Sequence, residues 1–180
     1  IALAGNYHPE IEKDIFDYCV ASRFEFDEAI LKERNAMEKS STWYTCCTEN
    51  YPNGFTFSPP AEHVWMGWYA AAKGFTGYLR WAYNSWPQNP IADSRFTAWP
   101  AGDTFQVYPG PMTSIRFEKL IEGIQDFEKI HILLEEYKKS EKKKKSEELK
   151  RVLKTFDLKT LKEIPSEKIV DEAKSILNKY

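Results

Sequence analysis

"SPPAEHVWMGWYAAAKGFTGYLRWAY", residues 58–83, decides how this chain folds. Its first half opens on Ser58 and Pro59, an N-cap and first-turn signal, and places Val64, Trp65, Trp68 and Ala72 at helical spacing before stopping at Gly74. Its second half, 77–83, is a short run of apolar and ringed side chains that leads into a proline-marked loop and reads as a strand. A helix followed at once by a strand is the repeating unit of an α/β fold, and the same alternation extends in both directions.

Upstream, IALAG (1–5) reads as a buried strand running out into Asn6, Tyr7, His8 and Pro9, and IFDYCV (15–20) as a second. Asp27 can cap a helix through Lys39 with Ile30, Leu31 and Met37 on its inner face, and TWYTCC (42–47) is a third strand. Downstream, DTFQVYPG (103–110) is a candidate hairpin. Ser114 then opens a long helix with Phe117, Leu120, Ile121, Ile124, Phe127, His131 and Leu134 on one stripe.

Alternating strand and helix implies parallel strands with helices outside, and four such units make the carboxyl-terminal half of a (β/α)8 TIM-type barrel. The first connection, 6–14, is too short for a full crossover helix and departs from that pattern. Working residues in such a fold sit beyond the carboxyl ends of the strands, where the loops converge. Those positions are Asn6 to His8, Ala21 and Ser22, Cys46 to Asn50, and Tyr83 to Trp86.

Charge divides the chain. Residues 1–110 hold 8 Lys and Arg against 13 Asp and Glu, residues 111–180 hold 17 against 14, and all six tryptophans fall between Trp43 and Trp99. The chemistry is therefore expected in the acidic, aromatic portion, with the Lys-rich part as scaffold or tail. KKSEKKKKSEELKR (138–151) mixes Glu with Lys and has no interleaved aromatic, so it reads as a solvated helix face and no nucleic-acid partner is expected. Cys19, Cys46 and Cys47 form neither a disulfide framework nor a zinc motif, and no run approaches the length of a membrane span. The chain starts at Ile1 inside an apolar run, as expected of a piece of a longer polypeptide.

Three stretches carry a resemblance: TWYTCCTENYPNGFTFSPPAEHVWMGWYAAAKGFTGYLRWAYNSW (42–86), DSRFTAWPAGDTFQVYPGP (93–111) and SIRFEKLIEGIQDFEKI (114–130). Together they resemble the carboxyl-terminal half of the glycoside hydrolase family 123 catalytic domain, a resemblance that covers residues 1–137 as the barrel portion and leaves 138–180 as a Lys-rich helical tail. The resemblance implies a barrel enzyme that releases terminal β-linked N-acetylgalactosamine with retention and without a cofactor. It implies substrate-assisted catalysis, in which the sugar's 2-acetamido oxygen attacks the anomeric carbon while an adjacent Asp-Glu pair orients the acetamide and protonates the leaving oxygen. Asp27-Glu28 begins a helix and Asp171-Glu172 lies in the tail, so the catalytic pair is expected upstream of Ile1 and this segment alone should be inactive. A secreted or periplasmic setting follows from the resemblance only.

What remains here is half of a sugar pocket, a carbohydrate partner being recognised by ring faces that stack on pyranose C–H groups and by amide and hydroxyl groups that fix its polar substituents. Tyr44, whose neighbours Trp43 and Thr45 point to the opposite face, is the candidate for holding the acetamide oxygen. Trp81 and Tyr83 share one strand face in this reading, Arg80 and Ala82 the other, with Asn84 and Trp86 just beyond and His8 at the first strand end. Bland alternatives stand beside each role. Tyr44 can be a core tyrosine, Arg80 can pair with a carboxylate, Asp103 can brace its loop, and His8 can be a loop residue without an acidic partner. Trp65 and Trp68 are expected in the core. A non-catalytic carbohydrate-binding relative would keep the same aromatic wall.

Overall fold

The computed structural model describes residues 1–24 and 26–179. Strands β1 (Ala2–Gly5), β2 (Asp17–Ala21), β3 (Ser40–Thr45) and β4 (Gly77–Arg80) pair in parallel in the order β1-β2-β3-β4. Helices α1 (Glu28–Ala36) and α2 (Ala61–Lys73) supply the second and third crossovers, whereas the first is a short loop with one 3-10 turn, Glu12–Asp14. After a long irregular excursion come α3 (Ile115–Lys139), α4 (Lys143–Leu153), α5 (Leu158–Glu163) and α6 (Ser166–Leu177).

Burial along β3 has the period of two that a pleated strand imposes: Ser41, Trp43 and Thr45 are buried, Ser40, Thr42 and Tyr44 only partly. Register then sorts the sheet into two faces, since Val20 pairs with Trp43 and Trp43 with Tyr78, while Ala21 pairs with Tyr44 and Tyr44 with Leu79. Crossovers of one hand between strands in sequential order put the helices on one side. That side is the Trp43 face, where the indole packs edge-on against Tyr69 of α2, ring centroids 4.6 Å apart.

Helix α2 is buried from Glu62 to Ala70 because α3, α4 and α6 cover the side that the sheet does not. Trp65 and Trp68 are fully buried, as their spacing predicts, and Trp68 stacks on Phe156 at 4.8 Å. Leu149, Val152, Leu153, Ile169, Val170 and Leu177 belong to the same apolar cluster, so the helices after 138, described to residue 179, join one core with the sheet. Lys142, Lys143, Lys144 and Lys145 are exposed while Leu149 and Val152 face inward, the solvated helix face expected of that run.

The amino-terminal end of the sheet is tied by Arg34, which is fully buried. Its Nε donates to Ser41 Oγ (2.7 Å), Nη1 to Glu12 Oε1 (2.7 Å) and the Ile15 carbonyl (3.0 Å), and Nη2 to the Phe16 and Ser40 carbonyls (3.0 and 2.8 Å). A buried guanidinium is tolerated because a carboxylate and a ring of acceptors satisfy it.

Several boundaries differ from the sequence reading. Strand β1 is a half-exposed edge rather than a buried strand. Asp27 does cap α1, accepting from the Ala29 and Ile30 amides, but the helix ends at Ala36 and Met37 is exposed, Arg34 taking the inward position. Ser58 does not cap α2. Its Oγ accepts from the Phe55 amide, and the helix starts only after Pro60, because a residue that precedes proline is disfavoured in helical conformation. Segment 103–110 forms no hairpin on itself: the Gln106 amide donates to the Tyr83 carbonyl (2.8 Å) and the Ser85 amide to the Thr104 carbonyl (3.0 Å), so 104–106 lie antiparallel to 83–85. Ser114 does cap α3, yet the buried face is Arg116, Gly123, Asp126, Ile130, Leu133 and Tyr137, one residue round from the expected stripe.

Candidate functional site

Tyr44 lies on the sheet face turned away from the helices, beside Ala21 of β2 and Leu79 of β4. Partial burial raises its phenol above the ordinary value, with Cys46 adding to the effect and Arg23 opposing it. Among the described residues its hydroxyl has no hydrogen-bond partner. By contrast, Tyr18 on the helical face donates to the Asn6 carbonyl and accepts from the His8 amide, which is how a structural tyrosine is satisfied.

Strand β4 ends at Arg80, so Trp81 and Tyr83 are not strand residues as expected, although exposure still alternates through Trp81 (40%), Ala82 (8%) and Tyr83 (47%). The antiparallel pairing with 104–106 begins there and takes the chain out of the parallel sheet. Trp81 donates its indole N–H to Asp103 Oδ1 (3.3 Å) and leans on Trp99, centroids 5.5 Å apart. Tyr83 packs edge-on against Phe117 of α3 at 5.8 Å, Asn84 pairs through its backbone with Phe105 and keeps its side chain exposed, and Trp86 donates to the Val107 carbonyl (2.8 Å). His8 sits beyond β1, two strands from Tyr44, with an exposed ring whose Nδ1 is 3.2 Å from Glu10 Oε1. It has the acidic partner that the sequence reading denied it. The structure therefore places Tyr44 on β3 and Trp81 one residue past the end of the neighbouring β4, and distributes Tyr83, Asn84 and Trp86 along the loop that follows.

Behind these residues lies a buried polar network that sequence reasoning reached only at Arg80 and Asp103. Arg80 Nη2 donates to Asp103 Oδ1 (2.6 Å) and to its carbonyl (2.7 Å), and both side chains are nearly or wholly buried, so pairing and bracing are what these two do. Burial nevertheless raises the Asp103 carboxyl above its usual range, with Arg80 and the Trp81 N–H pulling the other way. Asn53, fully buried, gives both Nδ2 hydrogens to the Cys46 and Glu49 carbonyls (2.6 Å each), accepts at Oδ1 from Gly54 N (2.7 Å) and Arg80 Nη1 (2.9 Å), and donates its amide to Glu62 Oε2 (2.7 Å). Further in, His63 Nε2 meets Gln106 Oε1 (3.1 Å) and Arg116 Nη1 reaches the Gly102 carbonyl (2.8 Å), fastening the 83–114 excursion to α2 and α3. The one signal for these partners was the arginine set among the rings of 78–83; nothing local marks Asn53 or Gln106.

A cavity of about 730 Å³ lined by Tyr7, Arg23, Phe26, Tyr69 and Asp157 opens on the helical side, and neither Tyr44 nor Trp81 lines it. The Tyr44 side is the opposite face of the sheet, where Cys19 and Ala21 are buried and Tyr44 is partly exposed. Among the described residues no cluster of His, Cys, Asp or Glu could hold a metal ion, and no helix is long and apolar enough to cross a membrane. Asp27 and Glu28 open α1, and Asp171 and Glu172 lie within α6, so neither adjacent acidic pair is at a strand end.

A four-stranded parallel sheet backed by helices makes this an α/β domain. More particularly, the chain belongs to glycoside hydrolase family 123: residues 1–133 match the family's catalytic domain. The fold is similar to that of a family 123 glycoside hydrolase from Clostridium perfringens, whose structural analysis concerned the details of glycolipid glycan hydrolysis. The TM-score is 0.77 at 22% identity, covering 98% of this chain and 34% of that one. This chain thus spans about a third of that protein's length. No curated protein matches the sequence.

Proposed function

We propose that the chain is the carboxyl-terminal half of a (β/α)8 barrel in a retaining β-N-acetylgalactosaminidase, and that Tyr44 holds the substrate's acetamide. The observation that carries the reading is the Tyr44 hydroxyl, set on the helix-free sheet face at a strand's carboxyl end with no protein partner among the described residues. Family membership and the glycan-directed activity described for the Clostridium protein support a sugar substrate.

In this reading the acetamide oxygen attacks the anomeric carbon as the glycosidic bond breaks. The leaving oxygen takes a proton from a Glu in the upstream half, and a neighbouring Asp accepts the acetamide N–H. A cyclic oxazolinium ion results, which water opens from the opposite side with the same Glu now taking the proton, so two inversions give retention. The Tyr44 O–H donates to the acetamide oxygen and keeps it in line with the anomeric carbon. Trp81 offers a ring face to the sugar, and Tyr83, Asn84, Trp86 and His8 extend the binding rim.

Hydrolysis of an aryl β-N-acetylgalactosaminide by the complete polypeptide, followed by NMR of the first-formed anomer, tests the proposal. The β-anomer is expected first, with inhibition by the thiazoline analogue of the oxazolinium ion. Release of the α-anomer, or no turnover at all, contradicts it.

A further inference from the structure

We infer that Asn53 is a positioning residue that couples the two walls of the candidate site, the Tyr44 wall through the 46–49 loop and the Trp81 wall through Arg80 and Asp103. The inference rests on the proposed function only in calling these walls a site; the coupling itself is a matter of geometry.

Asn53 is fully buried, so it touches no substrate, and its side chain fills all four of its hydrogen-bonding positions with protein partners. The two ends of the amide serve different walls. The donor end holds the Cys46 and Glu49 carbonyls, closing the turn that leaves β3 directly after Tyr44 and Thr45. That turn also carries Glu49 Oε2, which accepts from the Cys46 amide (2.8 Å), and Glu49 Oε1, 3.5 Å from Arg23. The acceptor end takes Nη1 of Arg80, whose Nη2 fixes Asp103, whose Oδ1 takes the Trp81 indole N–H. Arg80 Nη1 also donates to the Thr45 carbonyl (3.2 Å), so β3 and β4 are cross-linked at their ends by the same guanidinium. An amide is the group this place requires, because it presents two donors and a two-fold acceptor in one rigid plane. A carboxylate lacks the donors, and an apolar side chain lacks both.

That polarity allows the two arms to be cut separately. Asn53→Asp keeps an acceptor for Arg80 and the Gly54 amide but sets a carboxylate oxygen against two carbonyls, so only the 46–49 turn is released. Asn53→Ala releases both arms. Two readouts report them in the complete polypeptide. Cys46 and Cys47 are half-buried free thiols in the released turn, and the rate of their reaction with an aromatic disulfide reports its opening. The indole N–H resonance of Trp81, assigned with Trp81→Phe, reports the other arm.

The expected result for Asn53→Asp is a thiol rate raised roughly tenfold or more, from two lost hydrogen bonds, with the Trp81 resonance and its exchange unchanged. Asn53→Ala should change both, and should lower kcat on the aryl N-acetylgalactosaminide more than it raises KM. If Asn53→Ala does not fold, the Asn53→Asp comparison decides alone. Thiol rates within twofold of wild type, or a Trp81 resonance that moves with them in Asn53→Asp, overturn the two-arm coupling. A wild-type protein inactive on the sugar sinks the proposed function instead, and leaves the thiol and indole readouts to judge Asn53.

Discussion

Gly67 of α2 and Gly123 of α3 meet backbone to backbone: a Cβ on Gly67 would lie 2.1 Å from the Gly123 carbonyl oxygen, and one on Gly123 would lie 2.7 Å from the His63 carbonyl oxygen. Two helices come this close only where neither carries a side chain, and the contact sets the rotation of α3, turning Gly123 and Asp126 inward and leaving Ile124 half exposed. Asp126 there accepts the Trp68 indole N–H at 2.8 Å. Gly123→Ala must push the helices apart against backbone, not against a flexible side chain. The variant should lose at least about 1 to 3 kcal/mol of stability in urea unfolding. An unchanged midpoint would mean that the crossing is looser than described.

Glu62 and His63 start α2 side by side, and burial moves them in opposite directions. The Glu62 carboxyl is pushed up to about 7, against the pull of the Asn53 amide and helped by Glu167. The His63 imidazole is pushed down to about 4, with its bond to Gln106 opposing and Arg116 and Arg80 assisting. A carboxyl raised on folding keeps its proton in the native state while the unfolded chain has lost it, so its contribution falls as pH rises from 4.5 to about 7. An imidazole depressed on folding does the reverse, its contribution rising from about pH 4 to 6.5. The two slopes oppose each other in the wild type. Relative to wild type, Glu62→Gln should gain stability with rising pH, and His63→Gln should lose it, each by roughly 3 kcal/mol across its window. Urea midpoints measured from pH 4 to 8 check both signs; parallel profiles for all three proteins would refute the assignment.

The sequence shows its α/β character where periodicity is local. The β3 alternation, the Asp27 and Ser114 caps and the paired tryptophans of α2 all follow from residues within one or two turns of each other. The rotation of α3 is not local, since it depends on Gly67, which lies 56 positions from Gly123. Nor is the end of β4, because its extension is captured by 104–106, which themselves read as half of a hairpin. Tyr44 was legible from alternation alone. Asn53 was not, because an asparagine in YPNG carries an ordinary turn signal and its partners lie in the turn after β3, on β4 and on α2.

Trp81 is held by Asp103 and Trp99 with much of its ring still exposed, as a stacking platform requires. In the complete polypeptide, Trp81→Ala should weaken binding of the terminal sugar by roughly 1 to 3 kcal/mol, the scale of ring stacking on a flat partner. Titration calorimetry with N-acetylgalactosamine on a variant of unaltered circular dichroism measures this. Equal affinity would remove Trp81 from the pocket.

Tyr44→Phe keeps the ring and deletes one hydroxyl that nothing in the described protein bonds. If the hydroxyl keeps the acetamide oxygen in line with the anomeric carbon, its loss misplaces the nucleophile, and kcat on an aryl β-N-acetylgalactosaminide should fall on the order of 10² with little change in KM. Melting temperature should stay put, because no buried hydrogen bond is lost. The most direct measurement is therefore turnover and melting temperature together on Tyr44→Phe in the complete polypeptide. A large loss of kcat at unchanged melting temperature is the predicted result; unchanged kcat with a lowered melting temperature would contradict it, and would hand the acetamide to another residue, with Tyr83 and Tyr51 next to test.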